Sequence, residues 1–129
     1  MKPDKAAVFP DPLQVTALDM ENGKRKWRLD TRFRGITSLG EIEVPKAFTT
    51  DLASVPRFLW AAFSPADEYL EAAIIHDWLY SEHNDRFTRK QADGVMLELM
   101  FNLGVAWHRR HAVHTAVRLF GGSSWQANA

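Results

Sequence analysis

The stretch AAIIHDWLYSEH, residues 72–83, sets His76 and Asp77 side by side in an otherwise apolar run. A histidine exchanges a proton near neutral pH, and a carboxylate can orient it, bind a cation or hold a proton. The two types together suit general-base or metal-assisted hydrolysis. On a helix adjacent side chains lie about 100° apart, so the pair do not face each other, yet both can border one cavity. His76 lines up with Ala72, Ala73 and Tyr80, and Asp77 with Ala73, Ile74 and Ser81. These small neighbours leave room for a ligand, a water or another helix. A carboxylate placed there must be paired, bind a cation or take up a proton, because unpaired burial is costly.

Two more acids join them. Asp51 sits in AFTTDLASVPRFLW, residues 47–60, where Pro56 removes a donor, restrains Val55 and rules out one long strand. It reads as a metal ligand or an orienter of His76. It reads equally as a turn acceptor for the amides of Ala53 or Ser54, or as the cap of a short helix near Pro56. Asp93 lies one turn before Met96 and Leu97, close to the packed side of its helix. It can accept the second ring N–H of His76 and fix the tautomer, or it can pair with Arg89, Arg57 or Arg109. The expectation is a cleft in which His76 and Asp93 are catalytic and Asp51 and Asp77 hold a divalent metal. Oxygen ligands favour calcium or magnesium, and direct ligation by His76 would favour zinc or manganese. The competing reading is a buried polar network that only defines the fold.

Other candidates carry less. Ser54 or Ser64 can be paired with a histidine on paper, but isolated serines are too common to single out. His111 and His114 have metal-ligand spacing, yet AWHRRHAVHTAVR also contains Arg109, Arg110 and Arg118, which repel a cation. With His108 this run reads as a wet basic face that contacts a partner protein or phosphates. Trp27, Trp60, Trp78, Trp107 and Trp125 read as core or interface anchors. There is no GxGxxG, Walker-type GxxxxGK, HExxH or GxSxG motif.

The elements that must position these residues change period halfway. VTALD (15–19) leads through a turn at 21–23 into KWRLDTRFRG, where Trp27, Leu29, Thr31 and Phe33 alternate with Arg28, Asp30, Arg32 and Arg34. LGEIEVP (39–45) sets Ile42 and Val44 opposite Glu41 and Glu43, and Pro45 ends it. Ser64 with Asp67 reads as a capping box, with Pro65 at the first position of a central helix that runs through Tyr80. Thr88 with Gln91 opens a second helix that stops at Gly104, and a third covers roughly 106–120 before Gly121–Gly122. The expected class is α+β: a small antiparallel sheet or hairpins packed with three C-terminal helices. One domain spans 1–129, with 123–129 expected to fray.

Composition narrows the setting. Sixteen basic and sixteen acidic residues give no net charge, so there is no broad nucleic-acid or anionic-membrane signal. The absence of cysteine removes thiol chemistry and disulfides. No run of 18 uncharged apolar residues suggests a transmembrane segment, and no h-region follows the N-terminal charges. A soluble, cytoplasmic protein is expected, and its oligomeric state is left open.

Taken together, FTTDLASVPRFLW, AAIIHDWLY, RKQADGVMLELM and AVRLFGG resemble a family of small uncharacterised proteins often encoded by bacteriophages and prophages. The resemblance covers residues 48–122. It implies phage origin, a place in the bacterial host cytoplasm or in the virion, and a phage or host protein as partner. It names no activity. His76–Asp77 followed by Tyr80, then Asp93 with Met96 and Met100, is also similar to the two-helix core of secreted prokaryotic phospholipases A2. That likeness implies that His76 activates water, Asp77 binds calcium and Asp93 orients His76. The chain departs from that pattern, since no cysteines staple the helices and no glycine-rich calcium loop precedes His76. The functional expectation is a small phage hydrolase of unspecified substrate. The alternative is a non-enzymatic virion, assembly or host-interaction protein.

Overall fold

The structure, a computed structural model, describes residues 4–20, 22–60, 69–82 and 86–127. Its elements are α1 (Lys5–Val8), β1 (Val15–Ala17), β2 (Trp27–Leu29), β3 (Phe33–Thr37), β4 (Gly40–Val44) and β5 (Thr49–Thr50). A 3-10 turn at Arg57–Leu59 follows, then α2 (Leu70–Glu82), α3 (Arg89–Asn102), α4 (Trp107–Phe120) and α5 (Gly122–Ala127). The class is α+β, with antiparallel strands in the first half and helices in the second.

The strands form two small sheets. β1, β2 and β5 pair with Val15 opposite Leu29 and Trp27 opposite Thr50, while β3 and β4 form a hairpin with Phe33 opposite Val44. The alternation running from Trp27 to Arg34 is therefore split between two ladders. Asp30 marks the division, because its carboxylate accepts the Thr16 hydroxyl at 2.7 and 2.9 Å and closes the first sheet. Leu29, Phe33, Ile42 and Val44 are buried, and Glu41 and Glu43 are exposed. Gly35 lets the hairpin approach α2 closely, since a Cβ there would lie 2.5 Å from Ile75 Cδ1.

Helix α2 is the centre of the core. Ala72 through Asp77, Leu79 and Tyr80 are all buried, which a narrow amphipathic stripe could not achieve. The Ser64–Asp67 start expected for it lies outside the described residues. The Thr88 capping box is present in both directions. Gln91 N donates to Thr88 Oγ1 at 3.1 Å, and Thr88 N donates to Gln91 Oε1 at 2.8 Å. α3 ends before Gly104, whose φ of 83° is left-handed. α3 packs between α2 and α4. Residues 122–127 form α5, and its Trp125 meets Tyr80 edge-on at 5.2 Å. Trp27, Trp60, Trp78 and Trp125 pack against the core, whereas Trp107 is exposed. Among the described residues no helix is long and apolar enough to cross a membrane.

Candidate functional site

His76 sits in the fully buried middle of α2, and both ring nitrogens have side-chain partners. Nε2 is 2.7 Å from Asp93 Oδ1 on α3, and Nδ1 is 2.9 Å from Ser54 Oγ in the segment between β5 and the 3-10 turn. An ionised carboxylate only accepts, so Nε2 carries the proton that faces Asp93. In the neutral ring Nδ1 is then an acceptor, and the Ser54 hydroxyl donates to it. The three side chains form one hydrogen-bonded line from serine through imidazole to carboxylate, with Nδ1 toward the hydroxyl and Nε2 toward the acid.

Asp93 is held ionised by its surroundings. Burial alone would push its carboxyl upward, but the donors His76, Tyr80 and Arg118 outweigh that effect and hold it below the usual carboxylate range. The Tyr80 hydroxyl donates to Oδ1 at 2.6 Å, and Arg118 Nη1 donates to Oδ2 at 2.8 Å. Burial first, then the bond to Asp93, raises the Tyr80 phenol well above its ordinary value, so Tyr80 stays a donor. Arg118 is put in place by a latch. Arg89 Nη2 donates to the carbonyls of Val117 and Arg118 at 2.6 and 2.8 Å, and Arg89 Nε reaches the Tyr80 oxygen at 3.3 Å. This guanidinium caps the C-terminal turn of α4, where free carbonyls attract a cation.

Asp77 holds the serine from the other side. Its Oδ1 accepts the Ser54 backbone N–H at 3.1 Å, and its Oδ2 accepts the Thr50 hydroxyl. His76 and Asp77, though splayed around the helix, thus converge on one residue, one through the side chain and the other through the backbone. The chain reaches this position by a tight turn. Leu52 is buried with a left-handed φ of 61°, and its N–H donates to Thr50 Oγ1 at 2.9 Å. Asp51 Oδ1 accepts Ala53 N at 3.0 Å, the turn-acceptor role weighed for it from sequence.

A cavity of about 300 Å3 opens on this turn. Thr50, Asp51, Ser54, Asp77, Tyr80 and Ser81 line it, with Lys26, Thr49, Ala53 and Ser124. The structure therefore brings His76 and Asp93 into direct contact and places Asp51 and Asp77 on one cavity wall. Among the described residues no group of three or more histidine, cysteine, aspartate or glutamate side chains is arranged to hold a metal ion. Asp93 makes both kinds of contact considered for it, but the arginine is Arg118 in place of Arg89, Arg57 or Arg109. The sequence groups Arg118 with a wet basic face. It instead turns inward, while His108 and His111 stay exposed and burial lowers the pKa of the half-buried His114. Ser54 is the residue that sequence reasoning passed over. Its one signal was a small hydroxyl between the Asp51 turn and Pro56.

The fold and site together define an α+β domain built around a buried serine–histidine–aspartate line. The chain belongs to the family described as protein of unknown function (DUF1353), which matches residues 27–117. Ser54, His76, Asp77 and Asp93 all fall inside the matched region. No curated protein and no solved structure matches the chain.

Proposed function

We propose that the protein is a small hydrolase of acyl compounds that uses Ser54 as nucleophile, His76 as general base and Asp93 as the carboxylate that orients the imidazole. The observation that carries this reading is the unbroken pair of bonds, 2.9 Å from Ser54 Oγ to His76 Nδ1 and 2.7 Å from Nε2 to Asp93, ending at a cavity wall. As Oγ attacks the carbonyl carbon, its proton passes to Nδ1 and the bond to the leaving group breaks. The imidazolium returns that proton to the leaving atom. Water then attacks the acyl-serine with Nδ1 again as base, releasing the acid and restoring Ser54. Asp93, kept ionised by its donors, stabilises the transient imidazolium. The backbone amides around the nucleophile already have acceptors: Ser54 N on Asp77, Ala53 N on Asp51, and Val55 N on the Leu52 carbonyl at 3.1 Å. Oxyanion stabilisation falls to the cavity's side-chain donors, among which Thr49 and Ser81 are hydroxyls. The resemblance to phage-encoded proteins supports a role in a phage or prophage, within the host cytoplasm or the virion.

The test is covalent labelling. A fluorophosphonate should modify wild-type protein at Ser54, as read by peptide mass spectrometry, and His76→Ala should suppress the modification. Absence of labelling at Ser54 would remove the enzymatic reading. A second reading is favoured by burial: Ser54 is 1% exposed and His76 and Asp93 are 0% exposed. No buried side-chain polar atom among the described residues lacks a partner. In that case the line is a structural network within a phage assembly or host-interaction protein. Ser54→Ala would then destabilise the fold, and the wild type would resist the probe.

A further inference from the structure

The cavity wall carries a charge pattern that the acyl-transfer chemistry itself does not use. Asp51 gives one carboxylate oxygen to Ala53 N, and no partner holds the other among the described residues. Asp77 gives both oxygens to neutral donors, the Thr50 hydroxyl and the Ser54 amide, which leave its negative charge uncancelled. Among the described residues Lys26 is the cation on the same wall, and it is engaged in a contact of its own. The Asp51 carboxylate has no ion pair among the described residues and stands three residues before the nucleophile. The hydroxyls of Thr49 and Ser81 add neutral acceptors around it.

Calcium is poorly matched to this set, because it takes about six to eight oxygen ligands, and here a single carboxylate oxygen lacks a hydrogen-bond partner among the described residues. A primary ammonium is well matched. It has one charge and three donors in a compact head, which suit one carboxylate oxygen and nearby hydroxyls. At about 300 Å3 the cavity is at the small end of ligand pockets. The geometry points to a substrate that is a small aminoacyl ester or amide, with its α-ammonium held by Asp51 while its carbonyl carbon faces Ser54 Oγ. Because Asp51 and Ser54 share one tight turn, amine and scissile carbonyl must be close neighbours, as they are across the α-carbon of an amino acid. This inference rests on the reading of Ser54 as nucleophile. Acyl transfer proceeds as above, releasing a free amino acid and an alcohol or amine.

Two measurements separate this inference from that reading. Wild-type enzyme is given alanine methyl ester and N-acetylalanine methyl ester, with release of the acid followed by NMR. The free-amine ester is expected to show a kcat/KM roughly tenfold or more above the acetylated one, the size of one charge-assisted hydrogen bond. Asp51→Asn should bring the two esters within about threefold of each other. Independently of turnover, Ser54→Ala protein is titrated with alaninamide and with N-acetylalaninamide. Amide shifts at 49–54 and 77–81 are expected with the first and absent with the second. Equal kcat/KM values with Ser54 acylated would overturn the substrate class and leave the nucleophile standing. Asp51-dependent alaninamide binding without any acylation of Ser54 would do the reverse. No response to alaninamide in the titration would overturn the ammonium site outright.

Discussion

Asp93→Asn keeps the size and shape of the side chain and removes its charge, so it isolates what the carboxylate does. Three donors converge on Asp93. His76 and Tyr80 are essentially unexposed, while the side chain of Arg118 is 34% exposed. Both buried donors, His76 Nε2 and the Tyr80 hydroxyl, bond to Oδ1, and exchanging these two charge-assisted bonds for neutral ones costs about 1.5–3 kcal/mol in all. The Arg118 pair adds less, about 0–1 kcal/mol, because water reaches the guanidinium. The total is about 3 kcal/mol. For a domain of this size that lowers the melting temperature by on the order of 10 °C, which leaves the variant folded at room temperature. Chemistry should suffer far more. An asparagine NH2 donating to Nε2 drives the ring proton to Nδ1, and the Ser54 hydroxyl then meets a donor where it needs a base. Fluorophosphonate labelling at Ser54 is expected to slow by about 1,000-fold or more. The pH dependence has a defined sign. The folded pKa of Asp93 lies below its ordinary 3.8, so its stabilisation is complete above that value and is lost as pH falls through the lower folded value. The deficit of Asp93→Asn relative to wild type should therefore be constant at neutral pH and shrink below about pH 4. A melting temperature within about 3 °C of wild type, or labelling within tenfold of it, would refute the reasoning.

Arg89→Met should cost about 1–3 kcal/mol by freeing the last carbonyls of α4, and amide exchange should accelerate selectively around 117–121; uniform protection there would count against the latch. Gly121→Ala puts a Cβ 2.5 Å from the Val117 carbonyl oxygen and 2.9 Å from the Tyr80 hydroxyl, a strain of about 1–3 kcal/mol, whereas Gly122→Ala meets only Arg89 at 3.8 Å and should melt like wild type. His114 has its pKa lowered by burial, so its contribution is present above 6.5 and lost as pH falls toward the folded value. His114→Gln should flatten the stability profile just below 6.5, and an unchanged slope would show that another group sets it. Because Asp77 already has donors on both oxygens, calcium, magnesium, manganese or zinc should shift the melting curve of chelator-treated protein by less than about 1 °C. A dose-dependent rise of several degrees, absent in Asp51→Asn, would restore a metal at Asp51 and Asp77.

What could be read along the chain was whatever depends on local periodicity. The breadth of the apolar face marked α2 as central, Thr88 and Gln91 gave the start of α3, and the alternation of Ile42 and Val44 with Glu41 and Glu43 gave β4. His76 and Asp93 were legible as a pair because α2 and α3 are joined by a short link that lays one against the other. Ser54 was not legible as their partner. It reaches His76 only after Leu52 adopts a left-handed conformation that its side chain does not advertise and a two-residue strand sets Thr50 against Asp77. Arg118 was hidden for a similar reason. The run it belongs to also carries His108, Arg109, Arg110 and His111, which read as a basic surface, and only in the fold does the Arg89 cap on α4 set it against Asp93.

The adjacency of His76 and Asp77 follows from the same geometry. A base and a backbone anchor for one nucleophile must approach it from directions that differ by a large angle, since the side chain and the amide of a single residue point apart. Consecutive positions on a helix supply such an angle, about 100°, with no extra chain. Had the two sat one turn apart, at i and i+4, they would have faced the same way and competed for the Ser54 hydroxyl. The neighbours in sequence thus act as a clamp in space, with Asp77 fixing where the Ser54 amide lies and His76 fixing where its oxygen points. Asp77→Asn, which can still accept at one oxygen, should therefore disturb the orientation of Ser54 less than Asp77→Ala. The ratio of their Ser54 labelling rates measures the positioning directly, and equal rates would leave Asp77 with a role in stability alone.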